Sequence, residues 1–227
     1  MRIVATFKPV GLIALALALT SPFAGTLQDV EAVLGRDGLE KTGIKDIDLA
    51  YARPGATLAG YQRVKLDPVE VEFSERWNPE RTGSRLKVTG AEREAIRADV
   101  ASFVQEEFAR ELQRNGGYQL TTDTGPDVLR IKPRILDLYV NAPGADNAAR
   151  TRTFVSSTGE MTLLAELSDA ASGQVLERFA DRHETTSAFI RLQRTNRFVN
   201  ENETRTIANA WARILRKELD RAHGGGS

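Results

Sequence analysis

Between Tyr61 and Phe73 the apolar residues change sides. Val64 and Leu66 stand at even positions, Val69, Val71 and Phe73 at odd ones, and Asp67-Pro68 sits at the switch. A strand has a side-chain period of two, so a slip of one residue sends every later side chain to the other face unless a bulge absorbs it. Proline has no N–H to give to a ladder and is tolerated at such a break. The spacing predicts strand, bulge at Asp67-Pro68, strand, preceded by turns at Pro54-Gly55 and Gly60. The stretch "DVLRIKPRILDLYV" repeats the pattern: Leu129, Ile131 and Ile135 share one parity, Leu136, Leu138 and Val140 the other. A second bulge near Pro133 is expected, in a strand lying beside the first.

Two segments carry helical periodicity. Thr89 and Glu92 form a capping-box pair ahead of Ile96, Val100, Phe103, Val104, Phe108 and Leu112, and Gly116-Gly117 ends that helix. A last helix over about Thr204 to Arg221 has Ile207, Trp211, Ile214, Leu215 and Leu219 on one stripe. Between them, Met161, Leu163, Ala165 and Leu167 alternate along a strand, "SDAASG" turns the chain through Asp169 and Gly173, and "QVLERFADRH" returns as its partner. The order strand, helix, strands, helix argues an α+β fold: a mostly antiparallel, bulged sheet with the two main helices packed on one face.

The ends are read separately. Arg2 and Lys8 precede the apolar run Val10 to Thr20 and then "SPFAGT", the order of an export signal. That run is shorter than the roughly 20 apolar residues of a spanning helix. Residues 1–24 are assigned as signal peptide, with a mature start expected between about Ser21 and Leu27, and export predicts a periplasmic or secreted protein with no transmembrane helix in the mature chain. Residues 25–48, rich in Gly35, Gly38 and Gly43, read as a flexible lead-in. Residues 49–222 form a single α+β domain, and 223–227 a disordered tail.

Composition excludes several chemistries. Cysteine is absent, which removes disulfides, thiol nucleophiles and thiolate metal sites. Lys plus Arg and Asp plus Glu both number 31, so the bulk attraction a general nucleic-acid binder uses is missing. His183 and His223 are the only histidines, and no metal or other cofactor is expected. No serine sits in a glycine-flanked elbow, and no glycine-rich loop ends in the Lys-Ser/Thr pair that cradles phosphates. Two features remain. Asp67 and Asp137, on the two bulged strands, are the one pair of carboxylates placed to approach each other for acid–base work. From Arg182 to Arg197 the chain carries Arg182, His183, Arg191, Arg194 and Arg197 against Glu184 alone, with Phe189, Ile190 and Phe198 nearby. Arg191, Arg194 and Arg197 are the expected contacts to an anionic surface.

The stretch from Tyr51 to Trp77, through Arg53-Pro54-Gly55-Ala56, Tyr61, Val64 and Asp67-Pro68-Val69, resembles the start of the bacterial envelope family called domain of unknown function 3313, and "LSDAASGQVLERF" fits it as well. The resemblance implies an envelope protein without an assigned activity, and marks Arg53, Tyr61, Asp67 and Asp137 as candidate functional or structural residues. Members are mostly predicted lipoproteins; this sequence has no cysteine to carry the lipid. Three readings follow. The favoured one is a non-catalytic, exported accessory protein that binds a protein or envelope component through its sheet edge or basic loop. The second is a hydrolase-like enzyme using Asp67, Asp137 and a neighbouring arginine. The third is a small-ligand carrier built on the concave face of the bulged sheet.

Overall fold

The computed structural model describes residues 27–77, 88–141, 157–184 and 197–224. In chain order these form α1 (Leu27–Leu34), β1 (Glu40–Thr42), β2 (Leu49–Ala52), β3 (Arg63–Leu66), β4 (Glu70–Phe73), α2 (Gly90–Gln113), β5 (Gln119–Leu120), β6 (Val128–Asn141), β7 (Ser157–Asp169), β8 (Val175–Glu184) and α3 (Arg197–Ala222). The strands make one sheet in the order β1-β2-β8-β7-β6-β3-β5, with β4 also on β6. The ladders from β1 through β6 are antiparallel, whereas β3 and β4 run parallel to β6. The expected α+β class and mostly antiparallel sheet are what the chain adopts.

The break at Asp67-Pro68 has the predicted consequence. Leu66 pairs with Ile131 and Glu70 with Arg134, so four steps on one strand match three on the other. The extra residue turns the chain without loss of its core face: Val64 and Val71 are both buried against the helices. Pro133 lies opposite this interruption, where its missing N–H leaves no gap in a ladder. The second bulge is elsewhere than expected. Pairing of β6 with β7 runs unbroken past Pro133 and shifts between Leu136 and Tyr139, around Asp137, which has φ +54°. Leu136 points to the opposite face from Ile135 and Leu138, so the parity change at Leu136 is ordinary alternation and the slip comes after it.

Thr89 caps α2 as a full box: its hydroxyl accepts from the Glu92 N–H and the Glu92 carboxylate accepts from the Thr89 N–H. Val100, Val104, Phe108 and Leu112 of α2 and Ile207, Trp211, Leu215 and Leu219 of α3 are buried in one core with the inner face of the sheet. The helix α3 starts earlier than its apolar stripe suggested, at Arg197. Gln105 accepts from the Val69 N–H and Arg97 donates to the Val71 carbonyl, so α2 covers the outer edge of β4, a position that would otherwise invite strand pairing.

Residues 27–48 are not a flexible lead-in. The helix α1 lies on the far face of the sheet, where Val30 and Leu34 cover Leu136, Leu164 and Ala180. A helix of eight residues does not hold itself together in water, but burial of a leucine side chain contributes about 1.5–3 kcal/mol, and long-range contacts supply the rest. Arg178, 7% exposed, donates to the carbonyl oxygens of Val33 and Arg36 and to the Asp37 carboxylate, tying the end of α1 to β8. Glu31 accepts from the Tyr51 hydroxyl and Lys41.

Candidate functional site

The face of the sheet away from α2 and α3 carries a lattice of ion pairs. It follows from strand alternation: with Leu129, Ile131 and Ile135 in the core, Arg130, Lys132 and Arg134 must face outward in a row along β6. The neighbouring edge supplies their partners. Arg130 reaches Asp67 at 2.6 Å, Lys132 reaches Glu70 at 3.5 Å, and Arg134 contacts both Glu70 and Glu72. On the other side, Glu166 of β7 accepts from Arg178 at 2.8 Å.

At the end of the sheet where β4 and β6 finish, Arg76 and Arg182 converge on one oxygen, Oε2 of Glu160, at 2.6 and 2.8 Å. The bulge at Asp137 aims its carboxylate into the same group, 3.2 Å from Arg76 and 3.9 Å from Arg182. The hydrogen bond to Glu160 holds the Arg76 guanidinium above its ordinary value. Asp137 is 8% exposed and adopts a backbone conformation that costs an aspartate less than most residues. Its carboxylate, placed between two guanidiniums, offsets that cost.

Asp67 and Asp137, on the bulged strands whose sequence allowed them to approach each other, lie apart. The Asp67 N–H donates to Ile131, and Asp137 lies six positions further along β6, roughly 20 Å at about 3.3 Å per residue. Each has its own arginines, so the geometry gives no support to a shared acid–base pair. Arg53 donates to the Val175 and Asp37 carbonyl oxygens and joins the α1 connection to β8. The Tyr61 hydroxyl donates to Asp169, the residue that also accepts from Ser172 to close the β7–β8 turn. Burial and that bond push the Tyr61 phenol up to about 12. Both are ties within the fold. Arg191 and Arg194 lie outside the described residues, as does the side chain of Arg197. Among the described residues no group of three His, Cys, Asp or Glu side chains is placed to hold a metal, and no helix is long and apolar enough to cross a membrane.

Sequence reasoning missed Lys132, Arg134, Arg76 and Arg178. The row Arg130-Lys132-Arg134 was readable as a period-two cationic stripe; the ion partners were not.

Residues 23–215 match the family described as Protein of unknown function (DUF3313). The chain belongs to the DUF3313 family. No curated protein matches it. Among solved structures, this DUF3313 protein is similar to the PelC dodecamer from Paraburkholderia phytofirmans, at 8% identity over 78% of this chain and 96% of the other, with a TM-score of 0.35. It is similar to a homolog of neuraminyllactose-binding hemagglutinin from Helicobacter pylori at 12% identity, over 74% and 88% of the two chains, with a TM-score of 0.37. A protein described as a lipoprotein from Caulobacter crescentus CB15 aligns at 15% identity over 70% and 91%, with a TM-score of 0.28.

Proposed function

We propose that this DUF3313 protein is a non-catalytic, exported accessory protein of the cell envelope that binds a protein or envelope component through the outer face of its sheet. The observation that carries the reading is the row Arg130, Lys132 and Arg134 facing Asp67, Glu70 and Glu72 across adjacent strands. Paired charges on a sheet are held in register by the strands beneath them, and a fixed pattern of alternating sign selects partners by complementarity more than by raw affinity. The charged, apolar and small-residue order of residues 1–24 supports export. Arg191, Arg194 and Arg197 are proposed as a second contact region on the same reading.

The test is affinity capture from an envelope fraction with three proteins: the unaltered chain, a Glu70→Lys/Glu72→Lys variant, and Asp99→Lys on exposed α2. Partners retained by the α2 variant and lost from the sheet variant support the proposal. Identical capture by all three overturns it.

A further inference from the structure

Among the described residues the buried apolar cluster on the outer face of the sheet is Leu136 of β6, Leu164 of β7 and Ala180 of β8, bordered by Leu49 and Tyr51 of β2, and α1 covers it with Val30 and Leu34. The charged row begins beside it, where Val33 lines one small cavity with Lys132 and Arg134. Paired charges give an interface its selectivity, whereas affinity comes from apolar anchors at its centre, and on this face that anchor lies under α1. The helix seated there shows what the groove accepts. Two apolar side chains one turn apart, Val30 and Leu34, fill it. The Glu31 carboxylate between them accepts from the Tyr51 hydroxyl at 2.8 Å and from Lys41 at 2.7 Å, and the Val33 carbonyl oxygen accepts from Arg178 at 3.3 Å. These are light ties. Eight residues are too few to keep a helix by themselves, and Glu31 and Lys41 are 42% and 60% exposed, a pair that contributes little. The chain beyond α1 is fastened separately, the Asp37 carbonyl oxygen to Arg53 and the Asp37 carboxylate to Arg178 at 2.6 Å. α1 can therefore swing out about Gly35 with those bonds in place.

We propose that α1 is an exchangeable cover, and that the groove beneath it docks an amphipathic helix of a partner protein that carries two apolar side chains one turn apart and an acidic one next to the first. This rests on the reading of the sheet's outer face as a binding surface and names its apolar anchor. A partner helix longer than α1 costs less to order per contact made, which is what lets it take the seat. Because both helices compete for one groove, the affinity observed is the groove's own reduced by the fraction of molecules in which α1 is out.

The experiment measures amide exchange and peptide binding on the full chain. Amides of residues 31–35 should exchange at least about tenfold faster than those of Val104, Phe108 and Leu112 in the core of α2, at a rate that low urea does not change, as local opening requires. The probe is a fluorescent alanine–glutamine helix carrying Val, Glu and Leu at the spacing of Val30, Glu31 and Leu34. Followed by anisotropy it should bind saturably, and the same helix with Asp in place of its Leu should not. Val30→Asp/Leu34→Asp, which expels α1, should tighten probe binding about tenfold or more. Asp99→Lys, on the exposed face of α2, should leave it unchanged. If the double variant does not fold, Leu34→Ala serves, with a shift in the same direction. Exchange of residues 31–35 only at the rate of the α2 amides, or probe binding that is absent or equal in the unaltered and opened chains, overturns the proposal. So does a dimer that grows with concentration, which would seat a second copy's α1 in the groove. Capture that still depends on Glu70 and Glu72 would then leave the wider surface reading standing, whereas probe binding without such capture would remove that reading alone.

Discussion

Arg216 of α3 occupies the space that a side chain at Gly117 would need: a Cβ there would overlap both Arg216 Nη1 and the Leu112 carbonyl oxygen. The guanidinium donates to the carbonyl oxygens of Glu111, Leu112 and Arg114 and lies over the Tyr118 ring, so it closes the C-terminal end of α2 from a different helix. Those carbonyls also accept from the backbone N–H groups of Arg114, Tyr118 and Gly117, and Arg216 adds a charged donor to each.

Gly117→Ala should therefore destabilise the domain by about 1–3 kcal/mol, since a backbone oxygen as well as a side chain must move. Arg216→Ala should cost a similar amount, about 1–3 kcal/mol, through carbonyls left without a charged donor. Urea denaturation of both variants and of the double variant checks this. Strictly additive losses would show that the two residues do not act at one place.

Glu107 is 1% exposed between the helices and accepts from Arg110, Arg205 and Asn209. Glu107→Gln keeps the shape and removes the charge, and should lower stability by about 1–3 kcal/mol. Arg205 and Arg110 are partly exposed and can turn to water, which keeps the loss below that of a fully buried pair. An unchanged denaturant midpoint would refute the assignment.

At Asp137 the backbone and the charge can be separated. Asn tolerates the left-handed conformation nearly as well as Asp, and Ala does not. Asp137→Asn should lose only the interaction with Arg76 and Arg182, whereas Asp137→Ala should lose about 1 kcal/mol or more beyond that. Thermal melts that rank Ala equal to or above Asn would contradict the bulge geometry.

Glu177, on the core side of β8, has its carboxyl pushed up to about 7 by burial and then by the nearby Glu218. The folded value stands above the unfolded one, near 4.5. Its contribution to stability is thus fully present below about 4.5 and is lost as pH rises through about 7. The thermal midpoint should fall across that window, and Glu177→Gln should flatten the fall and raise the midpoint at pH about 8 relative to the unaltered chain. Parallel profiles for the two proteins would remove Glu177 as the cause.

Replacing Arg191, Arg194 and Arg197 together by glutamine should leave thermal stability nearly unchanged while weakening an anionic partner, with added salt reproducing the loss. Marked unfolding of the triple variant, or capture that does not respond to salt, would count against a contact role.

The sequence by itself determined what depends on a few neighbouring residues. The Thr89–Glu92 box, the stripes of α2 and α3, the turn at Asp169 to Gly173 and the break at Asp67-Pro68 each follow from backbone sterics and side-chain period. Tertiary structure decided the rest. The position of the second bulge was hidden because Leu136 is apolar on the far face, where Val30 and Leu34 of α1 bury it. Parity alone assumes one apolar face, and β6 has two. The order of α1 rests on Leu164, Ala180 and Arg178, more than 130 residues away, for which no local pattern exists. The same holds for the site. That Arg130, Lys132 and Arg134 share a face is written in their spacing, but which carboxylates they meet is set by parallel pairing of β3 and β4 with β6, and the place of Arg178 beside two of them by the docking of α1 on β7 and β8.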